Sequence, residues 1–395
     1  MRRFPVAVRL LLVNQFGVNT GFYLLIPYLA THLGDLGLSA AAIGAVLGVR
    51  TLSQQGLFLV GGTAADRLGP RRVIIAGCAV RAVGFGLFAA GSSVVVLLAA
   101  SVLSGLAGAL FNPAVRAYIA EESSDRAGAF ALFNAYGQAG ALAGPLLGGL
   151  LMLWDFRVAA LVAAGIFAAL TVAQAAVLPA RPAPPHRGTV LDDWRACLSD
   201  RRFLAFTGAL TGLFVLQNQL YLVLPLEARR LTDSSFAVAA LFLVSTVLTL
   251  LCQVRITKAL KRVARGRAIA LGLAVMGLGF VATAAGHAVP LGGLTPVLVA
   301  VALLSIGVMI AHPFVYELIP EFGRPGLAGT YFGVFYLASG LAAALGNAAI
   351  GWVLGRSGPA ASLLCAGIGL ACAAAVAWLD RRGALATAPR PEVSR

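Results

Sequence analysis

Apolar residues in this chain run on without a polar break for the length of a membrane-crossing helix. Windows of about 20 apolar residues, the length needed to cross the hydrocarbon core of a bilayer, recur at 7–32, 41–64, 73–91, 94–118, 127–152, 157–178, 203–226, 236–257, 268–288, 294–317, 327–353 and 360–379. The runs are continuous rather than alternating, so they predict helices and not the short two-faced strands of a membrane barrel. The expected fold is therefore all-α, with twelve transmembrane helices. Arg2 and Arg3 lead into an apolar stretch too long for the core of a cleavable leader, so none is expected.

One long polar segment, 179–202, separates the spans six and six, and its Pro-rich start reads as a linker. The expected organisation is a six-helix half over 1–178, a cytoplasmic linker over 179–202, a second half over 203–380 and a tail over 381–395. The halves repeat. Tyr23-Leu24-Leu25-Ile26-Pro27 matches Tyr221-Leu222-Val223-Leu224-Pro225 at an offset of 198, where Asp35 also meets Asp233 and Gln55 meets Gln253. Asn112-Pro113-Ala114-Val115 matches His312-Pro313-Phe314-Val315 at 200, and Phe130, Phe133 and Gly144 match Phe332, Phe335 and Gly346 at 202. Parallel six-helix repeats predict two pseudo-symmetric bundles with a binding site between them near the midplane, the plan of a transporter.

Composition agrees with this pattern. Of 395 residues, 59% are hydrophobic and only 11% charged, with a mean hydropathy of +0.89. There is too little polar surface here for several water-soluble domains. The 30 Lys and Arg against 15 Asp and Glu give a net charge of +15, which in a soluble chain would suggest nucleic acid. Position decides otherwise. With both termini placed in the cytoplasm, 24 of the 30 cations fall on inner loops, termini or inner helix ends, four (Arg157, Arg229, Arg230 and Arg356) fall outside, and Arg50 and Arg81 lie within spans. That bias marks orientation and removes the case for a nucleic-acid partner. Enzyme chemistry finds no support: four His and five Cys are scattered without ligand spacing, and no phosphate-binding loop motif occurs.

The strongest local signal follows the second span, Gly62-Thr63-Ala64-Ala65-Asp66-Arg67-Leu68-Gly69-Pro70-Arg71-Arg72. Gly62 permits close helix approach, Gly69 with Pro70 turns the chain, and Asp66 is placed to accept from a neighbouring helix N-terminus. A tight loop carrying inner-face cations fits the same residues. In span 5, Gly140, Gly144 and Gly148 recur every fourth residue beside Pro145 and Gly149, a face for close helix packing, which is also common in membranes generally.

These two segments resemble the loop 2–3 signature and the antiporter motif of the major facilitator superfamily. The resemblance implies a cytoplasmic latch in which Asp66 contacts the start of span 11, while Arg67, Arg71 or Arg72 contacts an acid near spans 4 and 5, from among Glu121, Glu122 and Asp125. Loop 8–9, from Lys258 to Arg267, is basic but carries no acid, so the latch is expected in the first half only. Within the drug:proton antiporter group, Leu47-Gly48-Val49-Arg50, Gln54-Gln55-Gly56-Leu57, Gly61-Gly62, Arg81-Ala82-Val83-Gly84-Phe85 and Ser104-Gly105-Leu106 resemble MdtH-type bacterial multidrug exporters. Asn14 stands where that branch has an acid, so proton coupling through this position is not carried over.

Polar residues inside spans usually face protein or a water-filled cavity. Gln15 and Asn19, Arg50 and Gln54, Asn134 and Gln138, and Gln217, Asn218 and Tyr221 form such stripes and are the candidates for a cavity lining. Interhelical hydrogen bonding is the competing explanation for each amide. Glu317, with His312 five residues earlier, is the deepest acidic candidate for proton exchange; Glu227 and Asp35 are expected at the outer surface.

Together these readings predict a monomeric secondary transporter in the plasma membrane of a bacterium. It would export small amphipathic molecules, antibiotics among them, against protons, with no cofactor or metal. Transport of a specific anionic metabolite is the alternative favoured by two intramembrane arginines, and a non-transporting receptor stands behind both.

Overall fold

The computed structural model describes residues 4–38, 40–91, 93–179, 188–232, 235–288, 293–323 and 326–385. The expected linker residues 180–187, the tail residues 386–395 and the repeat partner Asp233 lie outside them. The chain runs through α1 (Val6–Asp35), α2 (Ala40–Gly56), α3 (Phe58–Leu68), α4 (Pro70–Ala90), α5 (Val94–Glu122), α6 (Arg126–Met152), α7 (Phe156–Val177) and α8 (Val190–Ser199). It continues with α9 (Arg201–Ala209), α10 (Thr211–Asn218), α11 (Val223–Leu231), α12 (Ser235–Leu260), α13 (Arg265–Ala288), α14 (Thr295–Phe322), α15 (Ala328–Leu354) and α16 (Gly358–Arg381).

Local chemistry sets many of the helix starts. Side chains of Ser93, Asp125, Asp155, Asp200 and Ser357 accept from first-turn N–H groups of α5, α6, α7, α9 and α16, satisfying donors that have no intrahelical partner. Gly69 has φ 87°, a left-handed conformation, and Pro70 opens α4 directly after it. Glycine permits that turn, and proline at the first helical position gives up no hydrogen bond.

Two groups of helices result. In the first, α1 packs on α6 and α7, α4 on α5 and α7, and α2 and α3 on α5; in the second, α13 packs on α14 and α16, α12 on α14, and α10 on α15 and α16. The groups meet where α3 lies on α15 and where α6 lies on α12 and α14.

Among the described residues ten helical stretches are long and apolar enough to cross a membrane, counting 201–231 as one. The expected spans outside that set are α2–α3, which carries Arg50, Gln54 and Gln55, and α6, which carries Asn134 and Gln138. Both sit where the two groups touch. A helix shielded from lipid by protein on several sides tolerates polar side chains that a lipid-facing one does not.

Two spans expected to be continuous are interrupted. Span 2 changes helix at Leu57, and span 7 becomes α9, α10 and α11, with a turn over 219–222 in which the N–H groups of Leu220 and Tyr221 bond carbonyls three residues back. Irregular backbone at membrane depth persists where protein or a water-filled cavity surrounds it.

The glycines of α6 form the seam with α1. A Cβ at Gly140, Gly144 or Gly148 would meet the backbone oxygens of Phe16, Thr20 and Leu24 respectively. Tyr28 ties the same seam by donating its hydroxyl to Pro145 O at 2.7 Å. On the opposite face of α6, Leu142, Leu146 and Leu150 are exposed, as a lipid-facing surface requires.

Candidate functional site

At the end of the bundle that carries the basic loops, Asp66 of α3 faces the first turn of α15. Its Oδ1 accepts from Gly329 N at 2.7 Å, and its Oδ2 accepts from Thr330 N at 2.6 Å and Thr330 Oγ1 at 2.7 Å. The carboxylate is 7% exposed, and its charge meets the positive end of the α15 dipole. Gly62, one turn earlier, brings α3 so close that a Cβ there would collide with Gly329 O, and a Cβ at Gly329 would collide with Gly62 O.

The neighbouring arginines have partners other than those expected. Arg67 pairs with Asp193 of α8 at 2.7 Å and donates to Gly188 O at 3.1 Å. Arg71 donates to Leu178 O and Ala175 O, both at 2.7 Å, and so caps the last turn of α7. Arg72 is exposed. Asp125 caps α6 through Gly128 N at 2.9 Å and ion-pairs with Lys261. The physical reason is reach: the acid nearest to Arg67 in space comes from the linker, which folds back as a helix against α3.

The basic loop after α12, expected to carry no latch, contributes ion pairs all the same. Besides Lys261 with Asp125, Arg265 pairs with Glu321 at 2.8 Å and lies 3.8 Å from Glu317. Arg126 of α6 reaches Glu321 at 3.4 Å. The acids are supplied by α14 and by the start of α6, not by the loop itself. Asp125–Lys261 and Arg126–Glu321 both bridge the two helix groups.

The linker helix α8 is built into this end. Its start carries a capping box between Thr189 and Asp192; bonds from the Thr189 backbone and hydroxyl hold the Asp192 carboxyl below the usual carboxylate range. Trp194 donates its indole N–H to Thr63 Oγ1 at 2.8 Å, and Tyr331 of α15 donates to Asp200 Oδ2 at 3.1 Å. Cys197 on the same face is fully buried, and burial, with Asp200 and Asp66 nearby, pushes its thiol up to about 12.

Further from the basic end, a second layer joins the groups. Asn134 donates to Gln253 Oε1 at 2.8 Å, linking α6 to α12, and Gln55 of α2 lies against Gly340 of α15. Gln55 and Gln253 are the repeat-related pair at offset 198, so pseudo-equivalent glutamines serve both crossings. That repeated polar pair was the available signal for a contact outside the expected cavity stripes. Between the layers, the Arg116 guanidinium lies about equally far from three rings: 5.1 Å from Phe133, 5.1 Å from Tyr316 and 5.0 Å from Tyr336. Arg116 is thus a third arginine held among helices, in addition to Arg50 and Arg81; cation–π attraction from α6, α14 and α15 holds it there.

The remaining expected residues separate into ties and candidates. Gln15 donates to Asn19, and Asn19 donates to Gly137 O at 2.8 Å, so this stripe joins α1 to α6. Asn218 bonds its own helix at Phe214 O, while neighbouring Gln219 reaches Asn347 of α15 at 2.9 Å. Gln217 and Gln138 are half-buried, and Tyr221 is exposed beside Phe242. Arg50 donates to Gln54 Oε1 at 3.3 Å. His312 is buried among Phe214 and Tyr316 and is not brought together with Glu317, whose partner is Arg265.

Glu227, expected at the outer surface, is 3% exposed. It accepts from Arg230 at 2.9 Å and lies 3.1 Å from His287 Nε2. Among the described residues no group of three or more His, Cys, Asp or Glu side chains is placed to hold a metal ion.

Residues 11–347 match the profile of the Major Facilitator Superfamily. The chain is 41% identical over 364 residues to an uncharacterized MFS-type transporter of Mycobacterium tuberculosis, covering 89% of this chain and 86% of that one. It is 32% identical over 350 residues to the multidrug resistance protein MdtH of Cronobacter sakazakii, covering 87% and 85%. Among solved structures, the human organic anion transporter MFSD10 superposes with a TM-score of 0.78 at 18% identity, over 94% of this chain and 100% of that one. The transporter FucP in its outward conformation gives 0.77 at 14% identity, over 94% and 98%. At these identities the two structures establish the shared fold.

Proposed function

The chain belongs to the Major Facilitator Superfamily, and on that premise we propose that it exports small amphipathic molecules across a bacterial cell membrane in exchange for protons. In this reading the halves 1–178 and 203–380 rock about a central site as one monomer, with both termini and the basic loops in the cytoplasm. The observation that carries it is the Asp66 cluster. Three short hydrogen bonds from one helix start to one carboxylate are individually modest and geometrically demanding, so they form or break together. Such a contact suits a gate with two states.

Export rather than uptake is supported by the MdtH relatives and by the glycine seam between α1 and α6, the segment that resembles the antiporter motif. For the proton we favour Glu227 with His287 over Glu317 with His312. Glu227 and His287 lie together in a cavity whose other lining residues are Arg230 and apolar or glycine positions including Leu222, Leu226, Gly351, Leu354, Gly355 and Pro359. The His287 Nε2 stands 3.1 Å from a Glu227 carboxylate oxygen, whereas His312 and Glu317 are not brought together.

The test uses purified protein in liposomes with an imposed pH gradient and a fluorescent amphipathic dye. Dye movement should follow the gradient and stop when nigericin collapses it. Movement indifferent to the gradient would remove proton exchange from the reading, and no movement of any dye would remove export.

A further inference from the structure

Arg81 of α4 is 5% exposed, and its Nε is sealed from solvent without a hydrogen-bond partner. Its guanidinium carbon stands 5.4 Å from the Phe167 ring and 5.9 Å from the Phe22 ring. Arg50 of α2 lies 5.2 Å from the same Phe22 ring. Among the described residues neither arginine has a carboxylate partner within ion-pair distance.

A glycine brings these groups together. A Cβ on Gly108 of α5 would lie 2.9 Å from Arg81 Nη2 and 2.9 Å from Gln54 Cδ. Gln54 in turn accepts from Arg50 Nη1 at 3.3 Å. The three side chains thus make a run of N–H donors on two helices, in which Gln54 and Arg81 both border Gly108, Arg50 bonds Gln54, and the two guanidinium groups share the Phe22 ring. Arg50 is only half-buried, so the run is reachable from outside the packed core. Burying a guanidinium without a counter-ion is costly, and inside a membrane a cation of this kind marks a ligand path.

We propose that Arg50, Gln54 and Arg81 bind the carboxylate or sulfonate group of an amphipathic organic anion whose apolar body lies on Phe22. The planar guanidinium fork matches a two-oxygen acid, and the ring supplies the apolar contact. The proposal rests on the transporter reading for its substrate role. It narrows the amphipathic class to anions and gives the missing counter-ion a source: the transported molecule itself.

Equilibrium binding separates this from its alternatives. The full chain is placed in phosphatidylcholine nanodiscs and titrated with radiolabelled naphthoate and with naphthamide, its uncharged counterpart. Naphthoate should bind at least about tenfold tighter. Arg81→Gln and Arg50→Gln should each erase that preference while leaving naphthamide affinity within about threefold. If Arg81→Gln fails to fold, Gly108→Ala, which crowds Arg81 and Gln54, stands in for it and should lower naphthoate affinity. Equal binding of the two probes, or a preference that survives Arg50→Gln, would overturn the proposal. Displacement of naphthoate by glycerol phosphate added to the same phosphatidylcholine nanodiscs would assign the donors to a lipid phosphate group and overturn the substrate role. The assay uses no gradient, so export can fail in liposomes while this site stands, and the reverse.

Discussion

Replacing Asp66 by Asn changes one atom and the charge, and its effect can be worked from the hydrogen bonds. Oδ2 accepts from both Thr330 N and Thr330 Oγ1, and Oδ1 accepts from Gly329 N. An amide keeps one accepting oxygen; its NH2 faces at least one backbone N–H that loses its partner, while the Thr330 hydroxyl can turn to accept. One bond to a charged group is worth about 1.5–3 kcal/mol, and a charge at a helix start adds about 0.3–1 kcal/mol. The closed form should therefore weaken by about 3 kcal/mol, which is on the order of a hundredfold in the closed-to-open ratio. Spin labels on Leu68 and Val263, both exposed at the basic end on different helix groups, would report the distance across the gate in protein stripped of its native cysteines. Asp66→Asn should broaden that distribution toward longer separations and slow transport while leaving the helical content intact. An unchanged distribution together with unchanged turnover would refute the gating argument.

Gly62→Val should act on the same closure sterically: its side chain meets Gly329 backbone, and a cost of about 1–3 kcal/mol for overpacking should lower transport activity in liposomes more than it lowers yield of folded protein. Glu227→Gln should leave dye binding in place but uncouple dye movement from the pH gradient, measured as equal rates with and without nigericin. Cys197, buried and with its thiol pushed up to about 12, should react slowly with maleimide at pH 8 because the thiolate is scarce there. Trp194→Phe, which removes the bond to Thr63, should speed that labelling severalfold, as judged by mass shift over time; equal rates would mean that α8 does not depend on this contact for its docking.

The helical membrane fold was legible because membrane crossing demands long apolar runs, and ten of the twelve expected spans are long and apolar enough among the described residues. The interruption in span 7 was not legible. Tyr23–Pro27 and Tyr221–Pro225 read alike, yet the first lies inside the continuous α1 and the second includes the turn that ends at α11. What differs is the neighbourhood: Gly140, Gly144 and Gly148 clasp α1 along its length, whereas Asn347 stands where Pro145 does and is held by Gln219. The partner of Arg67 was hidden for a related reason. Thr189 and Asp192 have the spacing of a capped helix start, but they sit in a polar segment, 179–202, whose Pro-rich beginning has the composition of a linker. The Arg116 cage takes its rings from three helices far apart in sequence, and no local pattern announces it.

The docking of α8 has a kinetic meaning. Thr63 and Arg67 hold it on one helix group, and Tyr331 holds the residue that follows it on the other. On the proposed rocking of the halves, the covalent connection between the groups is thereby fastened at the place where they would part and rejoin. Reclosure becomes the return of a tethered partner rather than a fresh encounter, so it proceeds at the high effective concentration that a short tether imposes. Changes in the linker should accordingly retune how fast the carrier resets, while the affinity of the cleft for its cargo stays where its own side chains set it.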